Sequence, residues 1–395
     1  MTEYLWLLLP LLPVAAASGW YAAKRDTRQQ FQTDFHLPSA YFKGLNFLLN
    51  EQPDKAIEVF IKVLEVNPET VEMHLTLGNL FRRRGEVERA TRIHQNLIAR
   101  QSLSKNQRFQ ALFELAQDYL KAGLLDRAES LFQEISDVAS HAGPALKYLS
   151  QIYEQEKEWQ KAIHALRRLD NLSNEDFSHI VAHYYCELSE TELQKDHLQE
   201  ARSFVKKALA EDPNCTRATI LLGETESRLG RHAKAIAIWR KIEQQDAHVF
   251  GEVVDKIINS YNELGDEKGL QEFLGEMVTK HSDPKVLLAN VDELAKREGA
   301  GQAEAFLSQW LQKNPTVHGL KRLFELKRAR YTNDDRDELY TFLLVVERLM
   351  DTENVYLCKQ CGFSGRSLHW QCPGCKGWNT IEPIRSETRR KVDKL

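Results

Sequence analysis

Between Tyr356 and Trp378 the chain reads YLCKQCGFSGRSLHWQCPGCKGW, which holds four of its six cysteines. They form two pairs, Cys358-Lys-Gln-Cys361 and Cys372-Pro-Gly-Cys375, with ten residues between them. Two residues between thiols place each pair on a tight turn. Two such turns together present four sulfurs in tetrahedral geometry, which suits one zinc or iron ion. Gly362 and Gly374 are expected to supply backbone conformations that larger residues resist. Lys359, Arg366 and Lys376 can offset the charge of four thiolates on a divalent ion, and Tyr356, Phe363, Trp370 and Trp378 can form a miniature core. A unit of about 35 residues is too small to be stable by burial alone, so the metal contributes much of its folding free energy. Four cysteines also close the coordination shell and leave no position for a catalytic water.

No other residues read as a reaction centre. Cys186 and Cys215 stand apart on expected repeat helices or turns and read as buried structural thiols. His179 and His183 lie one helical turn apart, but no third ligand is evident, and a helical surface is the expectation. The sequence carries no phosphate loop, dinucleotide fingerprint or nucleophile elbow, so the chain is not expected to be an enzyme. A net charge of −4 with no basic domain argues against nucleic acid as the main partner.

What positions the cysteines is a long helical body. Charged residues make up 28% and apolar residues 42%, ordinary for a folded soluble chain, and 11 prolines and 19 glycines leave no long linker. Alanines recur at Ala56, Ala90, Ala128, Ala162, Ala201 and Ala235, in steps of 34, 38, 34, 39 and 34. Twelve residues before each stands a small residue: Gly44, Gly78, Ala116, Ser150, Ser189 and Gly223. Three residues after that comes a large one in four units, Phe47, Phe81, Tyr119 and Tyr153, while Glu192 and Glu226 hold the slot in the other two. A turn glycine precedes the alanine by five at Gly85, Gly123 and Gly230. This period resembles the tetratricopeptide repeat, a pair of helices per unit. Small residues let the two helices of a unit approach, and bulky ones fill the gap to the next. The array is expected to run over 37–330 as an all-α superhelical solenoid of about eight or nine units. The family's register places Asn79, Arg82, Arg83, Gln117, Lys121, Gln151, Glu154, Glu190 and Gln194 on its concave, partner-binding face. The run Arg82–Arg84 could meet acidic lipid or an acidic partner.

From Leu5 to Ala23 the chain is uncharged. Nineteen helical residues span about 28 Å, close to the hydrocarbon thickness of a bilayer. Trp20 and Tyr21 stand at an expected interface, followed by Lys24, Arg25 and Arg28. The positive flank after the segment favours a retained anchor over a cleaved signal and puts the body in the cytoplasm. The expected organisation is an anchor at 1–23, a linker at 24–36, the array, a connecting helix at 331–352, a metal-binding domain at 353–383 and a basic tail at 384–395.

The cysteine pattern resembles a rubredoxin-type zinc ribbon, with a shorter gap between the pairs and Lys376 where the second knuckle usually has Gly, and both departures count against electron transfer and favour structural zinc over iron. Anchor, repeats and CxxCG…CPxC ribbon in that order resemble the lipopolysaccharide assembly protein B (LapB) family of Gram-negative bacteria over essentially the whole chain. The resemblance implies an inner-membrane adaptor on the cytoplasmic side. It would work with the membrane protease FtsH to promote degradation of the deacetylase LpxC, under restraint by a YejM/PbgA-type membrane protein. The metal ligands carry over to Cys358, Cys361, Cys372 and Cys375, and the ribbon is expected to pack on the last helices. The alternatives are a scaffold that assembles lipopolysaccharide enzymes without proteolysis, and an iron-loaded redox protein. A homodimer stays open, because repeat arrays often pair through exposed helix faces.

Overall fold

The computed structural model describes residues 39–50, 52–66, 71–138, 141–173, 175–280, 283–330, 340–348 and 355–384. The expected anchor, the linker and nearly all of the basic tail lie outside them. Among the described residues no helix is long and apolar enough to cross a membrane.

The chain divides into two compact units, Met1–Ile152 and Tyr153–Leu395. Helices α1 (Ser39–Leu49), α2 (Pro53–Val66), α3 (Val71–Arg83), α4 (Val87–Ile98), α5 (Lys105–Lys121) and α6 (Leu125–Ser136) form three hairpins of the first unit, and the division falls within α7 (Ala142–Gln155). The second unit continues with α8 (Trp159–Asp170) and the pair α9 (Ser178–Gln194) and α10 (Leu198–Glu211). Next come α11 (Thr216–Arg228), α12 (His232–Trp239), the short α13 (Ile242–Gln245) and a 3₁₀ turn at Phe250–Glu252. Two more pairs follow, α14 (Val254–Leu264) with α15 (Glu267–Lys280) and α16 (Pro284–Glu298) with α17 (Ala300–Lys313), and then α18 (Val317–Arg330). Of the expected connecting helix, the described part, 340–348, is helical.

The periodic residues explain why these helices pair. All six repeat alanines are 0% exposed, because each lies where two helices cross. In the first unit a Cβ on Gly44 would stand 2.7 Å from the Phe60 ring, and one on Gly78 only 2.3 Å from His94. In the second unit a Cβ on Gly223 would stand 2.3 Å from Trp239 Nε1. Each small residue thus receives the large residue sixteen positions on, at van der Waals contact with the backbone. The turns between paired helices need a left-handed residue, which Gly85, Gly123 and Gly230 supply at φ 82°, 76° and 73°. Lys157 (φ 60°) and Asp196 (φ 63°) hold the same turn position without being glycine.

A second regularity crosses each turn. Phe47, Phe81, Tyr119 and Tyr153 each have a cation eight residues later lying over the ring: Lys55, Arg89, Arg127 and Lys161, at 5.4–5.8 Å from the centroid. Such contacts staple the start of the second helix to the end of the first.

After the helices, β1 (Tyr356–Cys358), β2 (Ser364–Gly365) and β3 (Ile381–Pro383) form an antiparallel sheet in the order β2-β1-β3. Tyr356 pairs with Gly365 on one side and Pro383 on the other. Tyr356, Cys358, Cys372 and Ile381 fill its core, with Phe363 and Leu368 against them. Trp370 and Trp378, expected in that core, lie outside it.

Candidate metal centre and its seat on the repeats

The four knuckle thiols lie within 4.8 Å of one another. Cys358 Sγ is 3.7 Å from Cys375 Sγ, and Cys361 Sγ is 3.6 Å from Cys372 Sγ. A tetrahedron with metal–sulfur bonds of about 2.3 Å has edges of about 3.8 Å, so the thiols stand where one tetrahedral ion needs them. The two knuckles close alike: the amide of Gly362 donates to Cys358 O at 3.0 Å, and that of Lys376 to Cys372 O at 2.9 Å. Gly362 takes φ 76° and Lys376 takes φ 60°. Gly374 serves differently from the expectation. It provides room, since a Cβ there would stand 3.2 Å from Cys361 Sγ.

The thiol chemistry also suits a cation. The Thr380 hydroxyl, 3.3 Å from Cys358 Sγ, and the amides of Cys361 and Gln360 hold the Cys358 thiol down to about 6. The Phe363 amide favours the Cys361 thiolate, yet desolvation and the neighbouring thiols outweigh it and push that group up to about 11. Four thiols this close cannot all ionise unless a positive charge sits among them. The donor set therefore fits zinc or iron; when bound, the ion cross-links the two knuckles.

Within the second unit the ribbon is seated against the repeat helices by Trp378, which is 9% exposed. Its ring stacks on His183 (5.0 Å between centroids, 21°) and meets Tyr184 and Trp159 edge-on at 5.8 and 6.4 Å. The Arg217 guanidinium lies 5.8 Å from the same ring. Arg217 is itself buried and bonded to Glu187 at 2.8 Å and Glu190 at 2.9 Å. Two further contacts join the ribbon to the helices. Gln371 donates to Glu154, which also accepts the Tyr184 hydroxyl at 2.5 Å, and the Tyr356 hydroxyl donates to Glu252. Burial, then Arg217, pushes His183 down to about 3, so it sits in the seat as a neutral ring.

Several expectations are corrected here. Among the described residues the ribbon's side-chain contacts with the helices fall not on the last ones but on α7–α9, α11 and the turn before α14, where the aromatic residues that can enclose an indole are found. His183 is not on a helical surface but buried in the seat. Glu154 and Glu190 serve the seat, while Gln194 is exposed. In the first unit, Arg82 is ion-paired with Glu114 at 2.6 Å and Asp118 at 2.8 Å, and Gln117 accepts from the Tyr148 hydroxyl at 3.1 Å. Arg84 is taken by Asp54 and Glu86. Arg83, Lys121 and Gln151 are exposed, and Asn79 is half-buried. Cys186 and Cys215 are buried as expected, but beside each other. The seat residues Trp159, Tyr184 and Arg217 carried no motif, and the spacing of His183 from His179 pointed to a helical surface and not to a seat for Trp378.

The matching family models agree with this anatomy. Residues 356–383 match the rubredoxin metal binding domain of the LapB zinc-ribbon type, and 43–101, 113–176 and 186–248 match the tetratricopeptide repeat. A repeat protein of known structure from Parabacteroides merdae ATCC 43184 is 11% identical, at TM-score 0.34 over 78% of this chain and 98% of that one. Lipopolysaccharide assembly protein B of Escherichia coli (strain K12) is 38% identical over 385 residues, 96% of this chain and 98% of that protein. The Haemophilus influenzae protein of that name is 33% identical over 398 residues, with the same coverage. The chain belongs to the lipopolysaccharide assembly protein B family.

Proposed function

We propose that this protein is an adaptor of the inner membrane that regulates lipopolysaccharide synthesis by promoting FtsH-dependent proteolysis of the LpxC deacetylase, and that it catalyses no reaction itself. The observation that carries this reading is the seat. A four-cysteine knuckle is held through Trp378 against the repeat helices, an arrangement that suits a composite binding surface better than a reaction centre. The relatives' name supports the lipopolysaccharide pathway.

In this reading residues 1–23 tether the body to the cytoplasmic face. The tether raises its effective concentration beside a membrane protease, without any new contact. A YejM/PbgA-type membrane protein restrains it. The test is the lifetime of the deacetylase after protein synthesis is stopped, in cells with and without this protein. The lifetime lengthens when the protein is missing. An unchanged lifetime overturns the proteolytic role and leaves a scaffold for the synthetic enzymes.

A further inference from the structure

In α11 the slot that holds an aromatic ring in four other hairpins is occupied by Glu226. Its side chain is 0% exposed, yet three cations reach it. Arg202 Nε lies 2.6 Å and Lys234 Nζ 3.0 Å from Oε1, and Arg231 Nη1 lies 3.1 Å from Oε2. Lys234 is the cation eight residues on, the position that elsewhere covers the ring. The three cations keep 24%, 48% and 50% of their side-chain exposure for Arg202, Arg231 and Lys234. Among the described residues none of them has a second acid within ion-pair distance. Asp196 is held by Arg228, and Glu192 by Lys195 and His197.

One buried carboxylate has thus drawn three cations together and neutralised one of them. The rest is a surplus of two positive charges on fixed donors. Among the described residues, both Nη groups of Arg202, Nε and Nη2 of Arg231 and the remaining ammonium hydrogens of Lys234 are spare. A phosphomonoester has the matching chemistry, with close to two negative charges and three acceptor oxygens. We propose that Arg202, Arg231 and Lys234, gathered by Glu226, bind a phosphate group. The site is independent of the adaptor reading, and its failure would leave that reading untouched.

The test is calorimetric titration of the full, metal-loaded chain in lipid nanodiscs with inorganic phosphate. In phosphatidylcholine discs the wild type shows saturable single-site binding. Arg231→Gln and Lys234→Gln each weaken it about tenfold, the scale of one lost charge-assisted hydrogen bond, whereas Lys313→Gln on α17 does not. Discs that contain phosphatidic acid separate two sources of the group. Loss of phosphate binding there assigns a lipid headgroup, and its persistence assigns a soluble phosphoester. Absence of saturation in phosphatidylcholine, or equal weakening by Lys313→Gln, overturns the proposal. Melting curves of each variant show whether the fold is kept.

Discussion

Lys157 and Lys376 hold left-handed backbone at φ 60° each, a conformation that costs a side chain about 1 kcal/mol and glycine almost nothing. Lys157→Gly and Lys376→Gly should each stabilise the chain by roughly that amount, read as a higher denaturant midpoint. Asp196→Gly should gain less, because Asp196 also pairs with Arg228 at 2.8 Å. These turns were legible wherever glycine marked them, but a lysine carries no sign of a positive φ, so Lys157 was invisible. His183 has a pH signature. Its folded pKa is about 3, against an ordinary value of 6.5. Between those limits the unfolded chain binds a proton that the folded chain refuses, so stability falls as pH drops through that window. His183→Gln removes this part of the slope. From pH 7 to 5 the variant should lose less stability than the wild type, measured by denaturant midpoints at both pH values; equal losses would contradict a buried neutral ring.

At the scale of elements, helix pairing was readable because its determinants are local. The small residue and its partner sit sixteen positions apart and recur with the period. Gly223→Ala should therefore cost about 1–3 kcal/mol, since its Cβ meets Trp239 at 2.3 Å and endangers the Nε1 bond to Ile220 O at 3.0 Å. A thermal melt would register it. The seat was not readable, for the opposite reason. Glu154 and Gln371 are 217 positions apart, and no period links a knuckle to the helices that receive it. Within its own motif, Trp378 reads as ribbon core. Trp378→Ala should leave the four thiols and their metal in place while releasing the ribbon, at a cost of about 3–5 kcal/mol for the lost ring. Hydrogen exchange would rise around Trp159 and Tyr184 with metal content unchanged. Protection that persists there would mean the flanking contacts suffice.

For the whole molecule, the metal decides whether the ribbon exists, and the ribbon decides whether the seat is covered. Removal of the ion by a chelator should unfold residues 356–383 and uncover the aromatic seat, while the hairpins, whose cores are built from residues such as Phe60, Phe132 and Trp239, stay helical. Far-UV circular dichroism should change little as exchange at the seat increases. A collapse of helix signal would instead make the ion a keystone of the repeats. The order of the seat in the chain has a consequence for synthesis. Glu252 is made 104 residues before the Tyr356 that bonds to it, and His183 and Arg217 earlier still. Each nascent chain therefore carries a cleft lined with aromatic rings, and with Glu154 and Glu252 still lacking their ribbon partners, while its own occupant has yet to be translated. Any chain interrupted in that interval leaves the ribosome with the cleft open, marked as incomplete by the surface a finished molecule hides.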